Sequence, residues 1–172
     1  MENSRPGLLA LIAALALGAC SEDTATTASL EPSLSQSSNP ELVECPSDVT
    51  YSTTGDVLPT GGSVALRGHE VAVPFGAVLL PTQIGLAEPA SQFMQVDLSA
   101  NGQEHFQFRA PLTITISYAR CTRANIDKGP LSVWLIDEST GALLQNMGGV
   151  DDKVNRTITF QTDHFSGYAI AN

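Results

Sequence analysis

Charge is scarce in this chain, and positive charge scarcest. Only 15% of its 172 residues are Asp, Glu, Lys or Arg, against roughly 25% in an average globular protein. Eight basic residues face 18 acidic ones, for a formal net charge of −10. That balance argues against nucleic acid as a partner, because phosphate binding needs a basic face. It also repels anionic lipid headgroups. No apolar run reaches the roughly 20 residues of a bilayer-spanning helix, and no stretch shows sustained helical periodicity. The three cysteines form no Cys-x-x-Cys motif, the usual mark of a redox pair. A Gly-rich phosphate loop is missing, and Gly61-Gly62-Ser63 reads as a turn rather than a nucleophile elbow. Glu70, Glu88, Asp97 and Asp137 have no spacing that pairs two of them for glycoside hydrolysis. His69, His105 and His164 sit in separate segments without a second ligand at zinc-like spacing. Asp151-Asp152 with Asn155 lacks the alternating oxygen ligands of a calcium loop and reads as a hairpin turn. No cofactor or metal is expected.

What is present begins with a leader. Leu8–Leu17 is an apolar run of about ten residues, the length of a secretory h-region. Leu17-Gly18-Ala19-Cys20 closes it. These residues resemble the lipobox of bacterial lipoproteins, in which two small residues fit the peptidase cleft and the Cys thiol takes diacylglycerol. The resemblance implies a signal peptide over residues 1–19 and acylation of Cys20, palmitate included. It places the chain on a membrane of the bacterial cell envelope. Ser21, where Asp would favour inner-membrane retention, leans towards the outer membrane, on its periplasmic or surface side. The alternative is an ordinary secretory signal cut near Ala19, with Cys20 left as a free thiol.

Residues 20–44 form the tether. Ser21–Glu44 is rich in Ser, Thr, Ala and Pro, with no basic or aromatic residue. It has too little apolar surface to offset the entropy of ordering, so it is expected to be disordered. Glu22, Asp23, Glu31, Glu41 and Glu44 repel one another and extend it. Beyond it, Cys45 and Cys121 meet an oxidising compartment where two thiols usually pair. Two unpaired structural thiols, or a redox pair, are the competing readings.

Residues 45–172 read as one all-β domain. Short β-rich runs cover Val64–Leu66, Glu70–Val73, Thr82–Glu88, Phe93–Leu98, His105–Phe108, Leu112–Tyr118, Leu131–Asp137, Arg156–Gln161 and Ser166–Ala171. Strict alternation in Leu112–Tyr118 and in Thr157–Gln161 buries one face of each strand. Turn residues at Thr60-Gly61-Gly62, Asn101-Gly102, Lys128-Gly129-Pro130, Ser139-Thr140-Gly141 and Asp151-Asp152-Lys153 separate the runs. Many short strands with regular turns predict an antiparallel two-sheet β-sandwich. Trp134 is expected in the core or on a sheet face.

The order of the motifs carries a resemblance. Thr60-Gly-Gly-Ser-Val-Ala-Leu66, Val71-Ala-Val-Pro-Phe-Gly-Ala77 and Pro81-Thr-Gln-Ile-Gly-Leu86 are followed by Pro111–Ile114 and by His164-Phe165-Ser166-Gly167-Tyr168. Together they resemble the ZU-five domain, known from ankyrins, netrin receptors and scaffold proteins, and bacterial lipoproteins with a similar module. Phe75 departs from the usual Pro or Ala. The resemblance implies a β-sandwich used for protein–protein contact or as a structural spacer, and no enzyme acting on an external substrate.

One chemical possibility comes with it. In some relatives the His-Phe-Ser tripeptide cleaves itself. Here the Ser166 hydroxyl would attack the Phe165 carbonyl, with His164 accepting the proton; the Phe165–Ser166 amide bond breaks to give an ester, which water then hydrolyses. The bland alternative has Phe165 or Tyr168 filling the core and His164 held by a fixed hydrogen bond. The leading expectation is thus a lipid-anchored protein with a protein partner or spacer role. Self-processing between Phe165 and Ser166 is a second reading. A carbohydrate-binding module is a third, and it needs an exposed aromatic platform that only Trp134 and a few Tyr could supply.

Overall fold

A computed structural model describes residues 40–122, 126–127 and 129–172. The leader, Cys20, the tether through residue 39 and Lys128 of the expected turn lie outside the described residues. The fold is an all-β sandwich of antiparallel sheets, as the alternation requires. Its strands are β1 (Glu44–Ser47), β2 (Tyr51–Val57), β3 (Gly62–Leu66), β4 (His69–Val73), β5 (Thr82–Glu88), β6 (Ser91–Phe93) and β7 (Gln95–Ala100). They continue with β8 (Gln107–Ser117), β9 (Ser132–Ile136), β10 (Leu143–Gly148), β11 (Val150–Asp152), β12 (Thr157–His164) and β13 (Gly167–Ala171).

One sheet has the order β10-β9-β13-β7-β5-β2, the other β11-β12-β8-β4-β3, and β1 pairs with β6 beside them. Inward residues come from alternate positions. Val71, Ile114, Ile158 and Phe160 of the five-stranded sheet and Ile84, Leu86, Val96, Leu98 and Tyr168 of the six-stranded sheet are buried in one core. Phe108 packs edge-on against Phe165, centroids 4.6 Å apart. β13 is buried along its whole length, which suits its central place between β9 and β7.

Several boundaries differ from the sequence expectation. β2, β10 and β11 were not anticipated; each is a sheet-edge strand whose exposed positions weaken the alternation signal. Asp151 and Asp152 belong to β11 rather than to a turn, which instead spans residues 153–156. The separate runs His105–Phe108 and Leu112–Tyr118 overlap one continuous strand, β8, which takes in Gln107 to Ser117 and leaves out His105, Phe106 and Tyr118. Its register against β12 shifts between Thr162 and His164, opposite Pro111. Proline has no N–H for the ladder, so it sits where pairing is already broken. Backbone pairing also starts upstream of Cys45, since Leu42 bridges Ala171 and the Val43 N–H donates to the Ile170 carbonyl.

Cys45 and Cys121 form a disulfide, with 4.5 Å between Cα atoms and 76 residues of sequence separation. It ties β1 to the segment that follows β8.

The register separates two ends of the sandwich. Asn101, just past β7, hydrogen-bonds Gln83 at the start of β5, while Met94, just before β7, meets Val43 and Ile170. The chain therefore enters the domain at one end, near Val43, the disulfide and the C-terminus. The β2–β3 and β4–β5 loops lie at the other. Gly61 supports that far end with φ +92°, where a Cβ would fall 2.7 Å from the Val73 carbonyl oxygen. It needs glycine on both counts.

Candidate functional site

Three places carry chemistry or exposed apolar surface. The first is a polar cluster at the end where the chain enters. Glu88 closes β5 at an inward position and is 1% exposed. Its Oε2 lies 3.2 Å from His69 Nε2 and 3.2 Å from Arg67 Nε, and its Oε1 is in close ion contact with Arg120 Nη2. The Ser117 N–H donates to His69 Nδ1 at 3.1 Å. Nδ1 is therefore an acceptor, and the proton resides on Nε2, which donates to Glu88. Burial lowers the His69 pKa, opposed by Glu88, so the ring is a neutral spacer between a backbone amide and a carboxylate. Arg67 holds φ 51°, and Gly68 φ 91°, in the two-residue turn between β3 and β4. The handedness of that turn fits the strand twist and lays the Arg67 guanidinium 3.8 Å over the Tyr51 ring. Arg120 also donates from Nη1 to the Cys45 carbonyl at 2.7 Å, linking the cluster to the disulfide. His69 is thus committed to an ion-pair network, and no group of three metal-type ligands occurs among the described residues.

The second place contains the His164-Phe165-Ser166 segment. Phe165 is fully buried, as the bland reading expects. His164 Nδ1 contacts Thr162 Oγ1 and Asp163 Oδ1, each at 3.2 Å. Tyr168 donates its hydroxyl to the His164 carbonyl at 2.7 Å, and burial pushes its pKa up to about 12. The Phe165 N–H is bonded to the Phe106 carbonyl and the Ser166 carbonyl to the Leu98 N–H. No hydrogen bond among the described residues joins His164 to Ser166. His164 and Ser166 nonetheless line one cavity of about 400 Å³, with Glu104, His105, Glu138 and Leu144 on its other sides.

Beside that cavity stands Asp97, whose Oδ1 is buried without a hydrogen-bond partner. Burial raises its pKa to about 6, and the charges of Glu138 and Glu104 add to the shift. A carboxyl raised above its ordinary value of 3.8 favours the fold in its protonated form. The stability it contributes is whole at acid pH below that ordinary value and is lost as pH rises through about 6. Asp97→Asn is therefore expected to raise the urea midpoint at about pH 7.5 and to give little gain at about pH 4. Equilibrium unfolding at the two pH values checks this.

The third place is the far end. Leu58, Phe75, Leu79 and Leu80 project from the β2–β3 and β4–β5 loops and are between 51% and 80% exposed. No charged residue occurs from Val57 to Leu66 or from Val73 to Gln83. Nearby, Ala77, Val78, Phe106 and Arg109 line a shallow groove of about 320 Å³. Tyr118 and Tyr168 are fully buried, Tyr51 lies under Arg67 on β2 at the other edge of the sheet, and Trp134 is half-buried on β9, so among the described residues no tyrosine joins Trp134 in a platform. The sequence reading named His69 and Glu88 singly, named His164, Phe165 and Ser166 together, and missed the apolar end and the roles of Arg67 and Arg120. Compared with protein-family models and with curated proteins, the chain gives no match.

Proposed function

We propose that this chain is a lipid-anchored protein of the bacterial cell envelope whose β-sandwich is a non-enzymatic protein-binding module. The observation that supports it best is the apolar far end, whose two loops carry no charged residue. Four large apolar side chains stand in water on two adjoining loops, which costs free energy unless a partner covers them. The chain enters at the opposite end, near Val43. A chain acylated at Cys20 would therefore join the domain at the end opposite these loops, which leaves them open to a protein partner. The resemblance of Thr60–Leu86 to ZU-five openings points the same way.

A photo-reactive residue at position 75 of the full chain, irradiated in intact envelopes, tests the reading. One discrete heterologous protein adduct is expected, and it should be lost when Leu79 and Leu80 are both changed to Ser. Adducts only to lipid, or only to a second copy of the chain, overturn it. Mass spectrometry of the same purified material tests the remaining parts. Acylated Cys20 and an unbroken Phe165–Ser166 bond are expected. An unmodified Cys20 sinks the anchor, and loss of Ser166–Asn172 establishes self-processing instead.

A further inference from the structure

We infer that the cavity between the Arg67-Gly68 turn and the segment that follows β8 binds a carboxylate. The inference is independent of the apolar loops, which lie at the other end of the sandwich. Arg67, His69, Glu88, Ser117, Ala119 and Arg120 line about 300 Å³, the small end of the range for small-molecule sites, about 300–1,000 Å³. Two guanidiniums meet one carboxylate there, that of Glu88. His69 stands neutral, its pKa lowered by burial. Two cations against one anion leave one positive charge unbalanced, in a chain whose formal net charge is −10.

Arg120 supplies the second, separate observation. Its Nη2 is in ion contact with Glu88, and its Nη1 donates to the Cys45 carbonyl at 2.7 Å and to the Pro46 carbonyl at 3.2 Å. Its Nε is buried and has no hydrogen-bond partner. A buried donor left unpaired on a charged group is costly, so it points to an acceptor that the site is built to meet. The acceptors around the cavity are already engaged. Glu88 faces both arginines and His69, His69 Nδ1 accepts from the Ser117 N–H, and the Ala119 carbonyl accepts from Arg156. Ser117 Oγ accepts from the Ala119 N–H at 3.4 Å, which leaves its O–H to donate. The ligand must therefore be an acceptor without donors, as an ionised carboxylate is. Arg67 brings the second guanidinium. It holds φ 51°, an unfavourable backbone for a side chain of its size, and its stacking on Tyr51 fixes the guanidinium beside the cavity. A phosphate dianion is a poorer fit, since it would more than cancel the unbalanced charge and would repel Glu88.

The carboxylate belongs either to a small free acid or to the C-terminus of a polypeptide, and the experiment separates them. The full chain with its disulfide intact, labelled with ¹⁵N, is titrated at constant ionic strength with sodium propionate, with Nα-acetyl-alanine, with inorganic phosphate, and with propionamide as the uncharged control. Saturable shifts at the Arg120 side-chain Nε–H and at the Ser117 and Ala119 amides are expected with both carboxylates, and none with propionamide. Tighter binding of Nα-acetyl-alanine assigns the site to polypeptide C-termini, and tighter binding of propionate to free acids. Arg67→Gln should weaken carboxylate binding about tenfold or more, and Ser117→Ala, which keeps both guanidiniums, about threefold or more. Unchanged amide shifts elsewhere show that each variant is folded. No saturation, an equal response to propionamide, tighter binding of phosphate than of either carboxylate, or unaltered affinity in both variants each overturn the inference.

Discussion

Replacing Glu88 by Ala is expected to lower the free energy of unfolding by about 3 kcal/mol, near the lower end of what breaking a buried ion pair costs. Among the described residues the carboxylate is the one anion paired with Arg67, His69 and Arg120, so its removal leaves a largely buried guanidinium and a buried imidazole N–H without their ion contact at once. Arg67 is more exposed and recovers hydration, which holds the loss below the top of that range. Glu88→Gln keeps an acceptor for His69 and should cost less than Glu88→Ala. The pH profile gives a second readout. His69 has a lowered pKa in the fold, so stability present above its ordinary value of 6.5 is lost as pH falls below it. Without Glu88 nothing on the ring's Nε2 side favours the charged form. Stability should then fall more steeply between about pH 6.5 and pH 5 in the Ala variant than in the native chain. Chemical denaturation across that range measures both effects. A loss under about 1 kcal/mol would mean that the cluster is solvated and contributes as a surface pair does.

Opening the Cys45–Cys121 bridge is the other large effect. Closure of a 76-residue loop restricts the unfolded chain, and the chain-entropy relation gives about 4–5 kcal/mol for that length. The Cys45→Ala/Cys121→Ala variant should therefore unfold at markedly lower urea concentration. Its slope against denaturant should rise slightly because the unlinked chain expands further. Part of the loss should be shared with Glu88. Arg120 bonds both to that carboxylate and to the Cys45 carbonyl, so the two changes combined should cost less than their sum.

The strands that alternate cleanly were legible from sequence because burial acts on every second residue. Leu112, Ile114, Ile116 and Tyr118 are all buried in β8 or just beyond it, and Ile158 and Phe160 are buried in β12. The edge strands β2, β10 and β11 were not legible, since tertiary pairing rather than patterning makes them strands. The Glu88 cluster is assembled from residues 67, 69, 88 and 120, which no local spacing links. A signal existed nonetheless. Glu88 shares parity with Thr82, Ile84 and Leu86, and His69 with Val71 and Val73. A titratable group at an inward position of an alternating strand breaks the pattern and calls for a buried partner. The Asn101-Gly102 turn was readable because both residues take positive φ. The equivalent Arg67-Gly68 turn was concealed by an arginine in a conformation that few arginines adopt.

The place where the chain joins the sandwich has a mechanical consequence. Under the proposed anchoring, tension applied from the N-terminal side would reach Glu41, whose carbonyl accepts from the Asn172 N–H, and then Val43, held between Ile170 and Met94. Hydrogen bonds alone would let such a terminal segment peel away one bond at a time. The covalent link at Cys45 stops that unzipping within a few residues and diverts the pull into the end of β8, a central strand. A module gripped at its far end and tugged from its near end would thus be strained through its middle rather than frayed at its hem.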